Sequence, residues 1–159
     1  MGSDGDGWAQ CALGHRHWGL HGAAGLLLVG PGEQVLMQHR AAFSHHGDTW
    51  GLPGGARGRD ESAEQAAVRE AAEETGVDPA GVATDGAYVD EHGGWSYTTV
   101  LARAPRLLEV HALDRESTAV AWVPVAEVGR LVLHPGFAAS WREVRAQLLR
   151  SSANSSSGP

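Results

Sequence analysis

The stretch GGARGRDESAEQAAVREAAEETGV, residues 54–77, decides what the rest of the chain is expected to form. It opens on two glycines and then carries five acidic residues from Glu61 onward. Its composition and spacing predict a helix from about Glu61 or Ser62 to Thr75. Ser62 has the side chain of an N-cap residue, and Gly76 is a natural C-cap. A glycine-rich loop is therefore expected to lead straight into an acidic helix.

Three glutamates of this helix are spaced so that they share one face. At 100° per residue, Glu70, Glu73 and Glu74 lie within about a quarter of the circumference. Their mutual repulsion costs roughly a few tenths of a kcal/mol per pair, and near a helix C-terminus the macrodipole adds to that cost. This acidic face is either simply solvated or binds a divalent cation. Cation binding is a candidate because hard cations take carboxylate oxygens. We expect this face to point away from the core, with the buried stripe on the opposite side: Val68, Ala71, Ala72 and Thr75.

These residues carry a resemblance to a known family. The Nudix box has Gly, five residues, Glu, seven residues, Arg-Glu, an aliphatic residue, any residue, Glu-Glu, any residue, Gly and an aliphatic residue. The chain has Ala71 at the first aliphatic position and matches the other defined positions: Gly55, Glu61, Arg69, Glu70, Glu73, Glu74, Gly76 and Val77. The resemblance implies an α/β (α+β) fold, a Nudix-type α/β/α sandwich with a mixed β-sheet. It also implies divalent-metal-dependent hydrolysis of nucleoside diphosphate-linked compounds.

The resemblance assigns roles within the box. It makes metal ligands of three carboxylates and one backbone carbonyl: Glu70, Glu73, Glu74 and Gly54. The predicted catalytic group comprises Glu70, Glu73 and Arg69, and the glutamate that takes the proton from water is left open. Arg69 lies one turn before Glu73 and is expected to pair with that carboxylate and orient it. Glu61 either contacts a metal or stabilises the helix N-terminus, where the helix dipole favours negative charge.

Residues outside the helix complete the predicted site. Glu116 resembles a glutamate that reaches the metal site from a loop in MutT-type members of the family, with a plain surface acid as the alternative. Arg40, at the end of a predicted strand, is expected to bind phosphate or else to lie in water. Gly55 and Arg57 are the other predicted substrate-binding residues. The predicted cofactor is Mg²⁺, for which Mn²⁺ could substitute.

The remainder of the chain is expected to form one sheet covered by helices. The runs GAAGLLLVG and QVLMQHR predict a hairpin, and TWGLPGG predicts a short strand. Later strands are predicted for GAYVDE, SYTTVLARA and AVAWVPV, and a terminal helix for AASWREVRAQLLR. The predicted core includes Leu26, Val29, Val35, Met37, Trp141, Val144 and Leu148. The predicted domains are an N-terminal arm over residues 1–18, a Nudix hydrolase domain over 19–150 and a disordered tail over 151–159.

Composition narrows the class of protein further. A chain of 159 residues has the length of one domain with a full core. The net charge of −7 and the lack of lysine argue against nucleic-acid or membrane binding. The single cysteine excludes an internal disulfide and indicates a reducing compartment. We therefore expect a cytoplasmic protein.

Histidines gather at two places in the chain. The segment CALGHRHWGLH holds four residues of the types that bind zinc: Cys11, His15, His17 and His21. Their spacing matches no standard zinc finger or ribbon, and we favour packing of His15 and His17 at the mouth of the site or onto the sheet. His45 and His46, before the box strand, are expected to lie on the surface, with a substrate-facing role as the alternative.

The chain lacks the additional motifs that mark several Nudix subgroups. By elimination, the resemblance favours a MutT-like nucleoside triphosphate pyrophosphatase that acts on a small-molecule nucleotide. An ADP-ribose or other nucleotide-sugar pyrophosphatase is one alternative. A Nudix-fold sensor that binds a nucleotide without turnover is another, and whether the chain forms a homodimer is left open.

Overall fold

The computed structural model describes residues 4–156. The strands are β1 (Trp8–Gln10), β2 (Arg16–Trp18), β3 (Ala23–Gly30), β4 (Gln34–Arg40), β5 (Trp50–Gly51), β6 (Gly54–Ala56), β7 (Ala83–His92), β8 (Trp95–Arg103) and β9 (Ser117–Pro124). The helices are α1 (Ala63–Thr75), α2 (Val125–Val128) and α3 (Pro135–Ser156), and a 3-10 turn spans Pro79–Gly81.

Seven of these strands form one mixed sheet. Its path runs β5-β4-β3-β8-β7, while β6 pairs with β3 and β9 pairs with β4. Strands β3 and β8 are parallel, with Ala23 opposite Tyr97, and the other pairings are antiparallel. The predicted hairpin of β3 and β4 is confirmed, but the two strands pair only next to their turn. Beyond the turn, β6 replaces β4 beside β3, which brings the two box glycines into the sheet.

The sheet is covered on both faces because β3 is apolar on both. Leu26 and Leu28 lie in the cluster that includes α1, and Leu27 and Val29 lie in the cluster that includes α3. This alternation is the period of a strand, and full burial is typical of a central parallel strand. All of the predicted core residues are buried: Leu26, Val29, Val35, Met37, Trp141, Val144 and Leu148. The predicted α/β/α sandwich with a mixed sheet is confirmed.

Helix α1 begins and ends where its sequence predicts. The Ser62 hydroxyl accepts a hydrogen bond from the Gln65 N–H (3.0 Å), and the Gln65 side chain accepts one from the Ser62 N–H (2.9 Å). This reciprocal pair is a capping box. At the other end Gly76 adopts φ 74°, and its N–H donates to Ala72. Both ends are thus held by local hydrogen bonds.

Regular secondary structure occurs in both terminal segments of the predicted domain division. Strands β1 and β2 form a separate two-stranded hairpin within the segment predicted as an arm. Helix α3 runs to Ser156 and so includes part of the predicted tail over residues 151–159. Residues 1–3 and 157–159 lie outside the described part of the chain. None of the helices between residues 4 and 156 is long and apolar enough to cross a bilayer.

Candidate active site

Two glycines of β6 let α1 approach the sheet closely. Gly54 and Gly55 lie opposite Gly25 and Ala24 of β3. A Cβ atom on Gly54 would overlap the Ala24 carbonyl oxygen, and one on Gly55 would lie 2.6 Å from Cδ of Glu70. Real Cβ contacts are not that short, so a side chain here would displace the carboxylate. Glycine at position 55 therefore creates the space that Glu70 occupies.

Glu74 lies inside the protein, which corrects the predicted outward orientation of the acidic face. Its exposure is 9%, and its Oε2 accepts a hydrogen bond from the Gly54 N–H (3.0 Å). Glu70 is half-buried, and only Glu73 points into solvent. The stripe of α1 that is buried differs accordingly from the predicted one: Ala66, Ala67, Ala71, Glu74 and Thr75. The small alanines allow the helix to sit close to β3 and β6, and Glu74 lies two turns after Ala67 on the same side.

Burial changes the proton affinity of Glu70 and Glu74, which are called the inward carboxyls. Desolvation, together with the nearby Glu70 charge, raises the pKa of Glu74 to about 9. Desolvation also raises the pKa of Glu70, although the Arg69 charge opposes this shift. Tyr97 lies near the same place, and burial and then the Glu74 charge raise the pKa of its phenol. Without a cation, this pocket disfavours two ionised carboxylates.

Arg69 has a different principal partner from the one predicted. Its Nε and Nη2 atoms donate to the two carboxylate oxygens of Glu61 at 2.7 and 2.9 Å. Its Nη1 donates to Glu70 (3.0 Å) and is 3.4 Å from each oxygen of Glu73. The bidentate geometry makes Glu61 the stronger partner, since two parallel charge-assisted bonds exceed one longer contact. Glu61 also accepts from the Gly58 N–H (3.0 Å). It therefore anchors Arg69 to the loop between β6 and α1, which is called the box loop.

We expect Glu61→Gln to lower kcat about tenfold and to leave KM within about twofold, because Glu61 acts by positioning Arg69 and, through it, Glu70. The exchange keeps the size of the side chain but replaces one acceptor with a donor facing the guanidinium. Steady-state kinetics on the purified variant would measure this split. Glu33→Gln is the matched control, since it removes only an exposed ion pair with Arg103 at 3.5 Å. An unchanged kcat for Glu61→Gln would contradict the positioning role.

The two predicted phosphate-binding arginines lie in different settings. Arg57 donates through Nε and Nη2 to the Glu61 carbonyl, each at 3.1 Å. Arg40 ends β4, and its Nε donates to the His45 carbonyl (2.9 Å). The Arg40 charge also lowers the pKa of Glu74, which places it close to the inward carboxyls. Arg40 is thus the arginine of this pair whose charge acts on the buried Glu74.

Three imidazoles, those of His45, His46 and His134, lie near Arg40; these four residues are called the Arg40 cluster. The rings of His45 and His46 are 4.0 Å apart, and those of His46 and His134 are 4.8 Å apart. Burial, followed by the Arg40 charge, lowers the pKa of His134 to about 4. His134 was not among the predicted site residues because it lies far along the chain, in the segment that precedes α3. Only the folded structure brings it beside the loop that holds His45 and His46.

The loop before β9 contributes acids next to the end of α1. Glu116 is exposed, and its backbone carbonyl accepts from the Ala41 N–H (2.6 Å), adjacent to Arg40. Asp114 is half-buried, and its charge raises the pKa of Glu74. The Leu113 N–H donates to the Glu74 carbonyl (2.9 Å), which fixes the loop against the helix. Asp114 was missed from sequence because nothing in its local pattern distinguishes it from other loop acids.

The family of the chain follows from a match over most of its length. The NUDIX domain family matches residues 19–147. The chain belongs to the Nudix family. Residues 19–147 contain the whole sheet, helices α1 and α2 and most of α3, so the Nudix match covers the carboxylates, the box glycines and the Arg40 cluster alike.

Individual Nudix relatives resemble this chain closely. A Mycobacterium tuberculosis protein provisionally named 8-oxo-dGTP diphosphatase 3 is 48% identical over 154 aligned residues, covering 89% of this chain and 70% of that protein. A Bifidobacterium longum nucleoside triphosphate pyrophosphatase/Nudix hydrolase fusion protein is 41% identical, covering 91% of this chain and 32% of that protein. The crystal structure of the Nudix hydrolase RenU from M. smegmatis superposes with a TM-score of 0.86 at 46% identity, covering 92% and 96% of the two chains.

Nudix hydrolases use divalent metal ions, and the described residues fit such an ion. Within residues 4–156 the buried Glu74 carboxylate has no ion-pair partner, and the Gly54 N–H is its hydrogen-bond donor. The half-buried Glu70 carboxylate lies against Gly55 of the same strand. Hard divalent cations prefer oxygen ligands and would offset the charge that desolvation penalises. Glu70 and Glu74 are therefore suitable carboxylate ligands beside the box glycines.

Proposed function

We propose that the chain hydrolyses a pyrophosphate bond in a nucleoside triphosphate, as a MutT-like pyrophosphatase, with Mg²⁺ as its cofactor. The observation that carries the proposal is the pair of inward carboxyls, Glu70 and Glu74, held against Gly54 and Gly55. Desolvation raises the pKa of both carboxyls, and the nearby charges of Arg69 and Arg40 offset this only in part. A protein that only displayed an acidic surface would not bury them.

The box residues would hold the metal ions. Glu70, Glu74, the solvent-facing Glu73 and the Gly54 carbonyl are the proposed ligands. When bound, divalent ions neutralise phosphate charge and lower the pKa of water, so that hydroxide is available at neutral pH. Arg69 keeps Glu70 in place through its bond at 3.0 Å. Mn²⁺ is expected to substitute for Mg²⁺, because it also takes carboxylate and water ligands.

The Arg40 cluster is the proposed binding place for the phosphate chain. Arg40 carries a permanent charge, and the rings of His46 and His134 lie near it. Imidazole N–H groups can donate hydrogen bonds to phosphate oxygens even when the ring is neutral. Glu116 and Asp114, on the loop that contacts the end of α1, are proposed as further acidic groups at the metal end of the substrate. Gly55 and Arg57 remain proposed substrate-binding residues of the box.

A substrate panel with Mg²⁺ tests the proposed activity. The naming of the M. tuberculosis relative supports an oxidised purine nucleotide, so 8-oxo-dGTP is expected to be hydrolysed with a kcat/KM at least about tenfold above that of dGTP and of ADP-ribose. The products should be the nucleoside monophosphate and pyrophosphate, separated by ion-exchange chromatography. EDTA should abolish the reaction, and Mg²⁺ or Mn²⁺ should restore it.

Two outcomes of the panel would favour the alternatives. A higher kcat/KM for ADP-ribose than for any nucleoside triphosphate would favour a nucleotide-sugar pyrophosphatase. Tight binding without turnover of any compound would favour a sensor and defeat the hydrolase. Cytoplasmic location belongs to the same proposal, because nucleoside triphosphates are cytoplasmic substrates and the single cysteine suits a reducing compartment.

A further inference from the structure

The N-terminal hairpin places three ligand-type side chains on one face. Strands β1 and β2 pair with Ala9 opposite His17, and the Cys11 N–H donates to the His15 carbonyl (3.0 Å), which extends the pairing by one position. Side chains alternate between the faces of a strand. Cys11, His15 and His17 therefore project to the same side. The hairpin register thus brings together three of the four zinc-type residues that the sequence analysis grouped, although their spacing matches no standard zinc motif.

The opposite face of the hairpin is occupied by aromatic residues. The rings of Trp8 and Trp18 are 5.4 Å apart in an edge-to-face arrangement, and the Arg16 guanidinium lies 4.7 Å from the centre of the Trp8 ring. These contacts fix the orientation of the hairpin side chains. The hairpin meets the β7–β8 turn, where the Ala12 N–H donates to the Gly93 carbonyl (2.7 Å).

The three side chains are close enough to share one ion. One ligand atom from each of Cys11, His15 and His17 lies within 4.8 Å of the other two. Around a tetrahedral zinc ion the sulfur and nitrogen ligands are about 3.6 Å apart, from bond lengths of about 2.3 and 2.05 Å. The separation of the sulfur from a nitrogen therefore needs to shorten by at most about 1.2 Å. Small side-chain rotations achieve this without moving the hairpin backbone.

His17 is held against an aromatic ring and has a ring nitrogen without a hydrogen-bond partner. It stacks on Trp95 with ring centres 4.1 Å apart and an interplanar angle of 9°. Its Nε2 atom is buried and has no hydrogen-bond partner. A buried nitrogen without a partner is costly, and a metal ion would be a suitable partner for it.

We propose that Cys11, His15 and His17 bind one zinc ion, with a fourth position open to solvent beside the exposed His15. A thiolate and two imidazoles form a soft ligand set that selects zinc over magnesium. The oxygen ligands of the box prefer hard cations, so the two sites differ in the ion that each selects. A bound zinc ion would join the hairpin strands at the point where they meet His92 and Trp95.

Cobalt substitution tests this site independently of catalysis. Full-length, tag-free protein is reduced, stripped of metal with chelator and titrated with Co²⁺ in an absorption spectrometer. We expect a thiolate-to-cobalt charge-transfer band in the near ultraviolet that saturates at one Co²⁺ per chain and disappears when Zn²⁺ is added. Because Cys11 is the single cysteine of the chain, such a band can come from no other residue. Co²⁺ bound by carboxylates lacks it.

Single substitutions identify the other ligands. Cys11→Ser should remove the band, and His15→Ala and His17→Ala should each weaken Co²⁺ affinity at least about a hundredfold. His21→Ala is the matched control, because this exposed histidine of the same segment lies outside the cluster and should leave the titration unchanged. His15 is exposed, so its replacement does not endanger folding. The absence of a charge-transfer band at saturating Co²⁺, or a band unaffected by His15→Ala and His17→Ala, would overturn the proposal.

Discussion

Glu74→Gln is expected to lower kcat/KM for nucleotide hydrolysis by at least about a hundredfold, as loss of a metal ligand does. Glutamine has nearly the same shape and can still accept the hydrogen bond from the Gly54 N–H, but it carries no negative charge. The loss should therefore appear as weaker Mg²⁺ activation rather than as unfolding. Steady-state kinetics at several Mg²⁺ concentrations would measure both effects.

Thermal stability separates a metal-binding role of Glu74 from a structural one. Burial raises the pKa of this carboxyl to about 9, so the folded protein at neutral pH must either keep the group protonated or bury its charge. Removing the ionisable group removes that penalty, and the Tm of the metal-free variant should equal or exceed that of the parent. Glu64→Gln, on the exposed side of the same helix, is the control and should keep activity within about twofold. A Tm that fell together with activity would indicate a structural role instead.

Gly55→Ala is expected to reduce activity about a hundredfold, nearly as much as Glu74→Gln. A displacement of a reacting group by about 1 Å can cost that much. The added Cβ would lie 2.6 Å from Cδ of Glu70, so either the carboxylate or the helix must move. The effect should be accompanied by weaker binding of Mn²⁺, measured by calorimetry. Since the change adds one methyl group and removes no ligand, the loss would report the position of Glu70 directly.

A second glycine supplies the control for Gly55→Ala. Gly129 has φ −67°, which alanine adopts without strain, and a Cβ there would meet only Nε1 of Trp141, at 3.8 Å. Gly129→Ala is expected to leave both kcat/KM and Mn²⁺ binding unchanged. If Gly55→Ala also left kcat/KM and Mn²⁺ binding unchanged, the close approach of Glu70 to β6 would have no part in function.

The local features of the fold could be predicted from sequence because their causes are local. Ser62 and Gly76 mark the ends of α1 by side-chain capping and left-handed backbone geometry, and both were assigned correctly. The alternating apolar positions of β3 and β4 specify which residues reach each layer of the core. The eight matching positions of the box were sufficient to identify the family, which the match over residues 19–147 confirms.

The orientation of the acidic helix could not be predicted from spacing. A helical wheel shows which glutamates are neighbours but not which side meets the sheet, and charge alone favoured an outward face for Glu74. Tertiary packing decided otherwise, because the alanines and the β6 glycines leave room for a carboxylate inside. Because sequence spacing does not show tertiary packing, it also predicted the wrong principal partner for Arg69. Glu73 is near in sequence, whereas Glu61 reaches Arg69 only once the box loop has folded back over the helix.

Contacts between distant segments were also beyond sequence reasoning. His134 lies beside His46, and the Asp114 charge acts on Glu74, only because the sheet brings separate loops to one end. In the N-terminal hairpin, Cys11 and His15 face each other through strand pairing rather than through a recognised motif. Each of these groups has ordinary chemistry at its own position. Its significance depends on neighbours that a single sequence does not specify.

The central claim is that the inward carboxyls of the box hold divalent ions against the phosphates of a nucleotide. A crystal of the protein grown with Mn²⁺ and a non-hydrolysable nucleoside triphosphate analogue, measured at the manganese absorption edge, tests it most directly. We predict an anomalous difference peak within coordination distance of carboxylate oxygens of both Glu70 and Glu74 and of a phosphate oxygen. A bound analogue whose phosphates lie away from these glutamates, with no manganese peak beside them, would contradict the account.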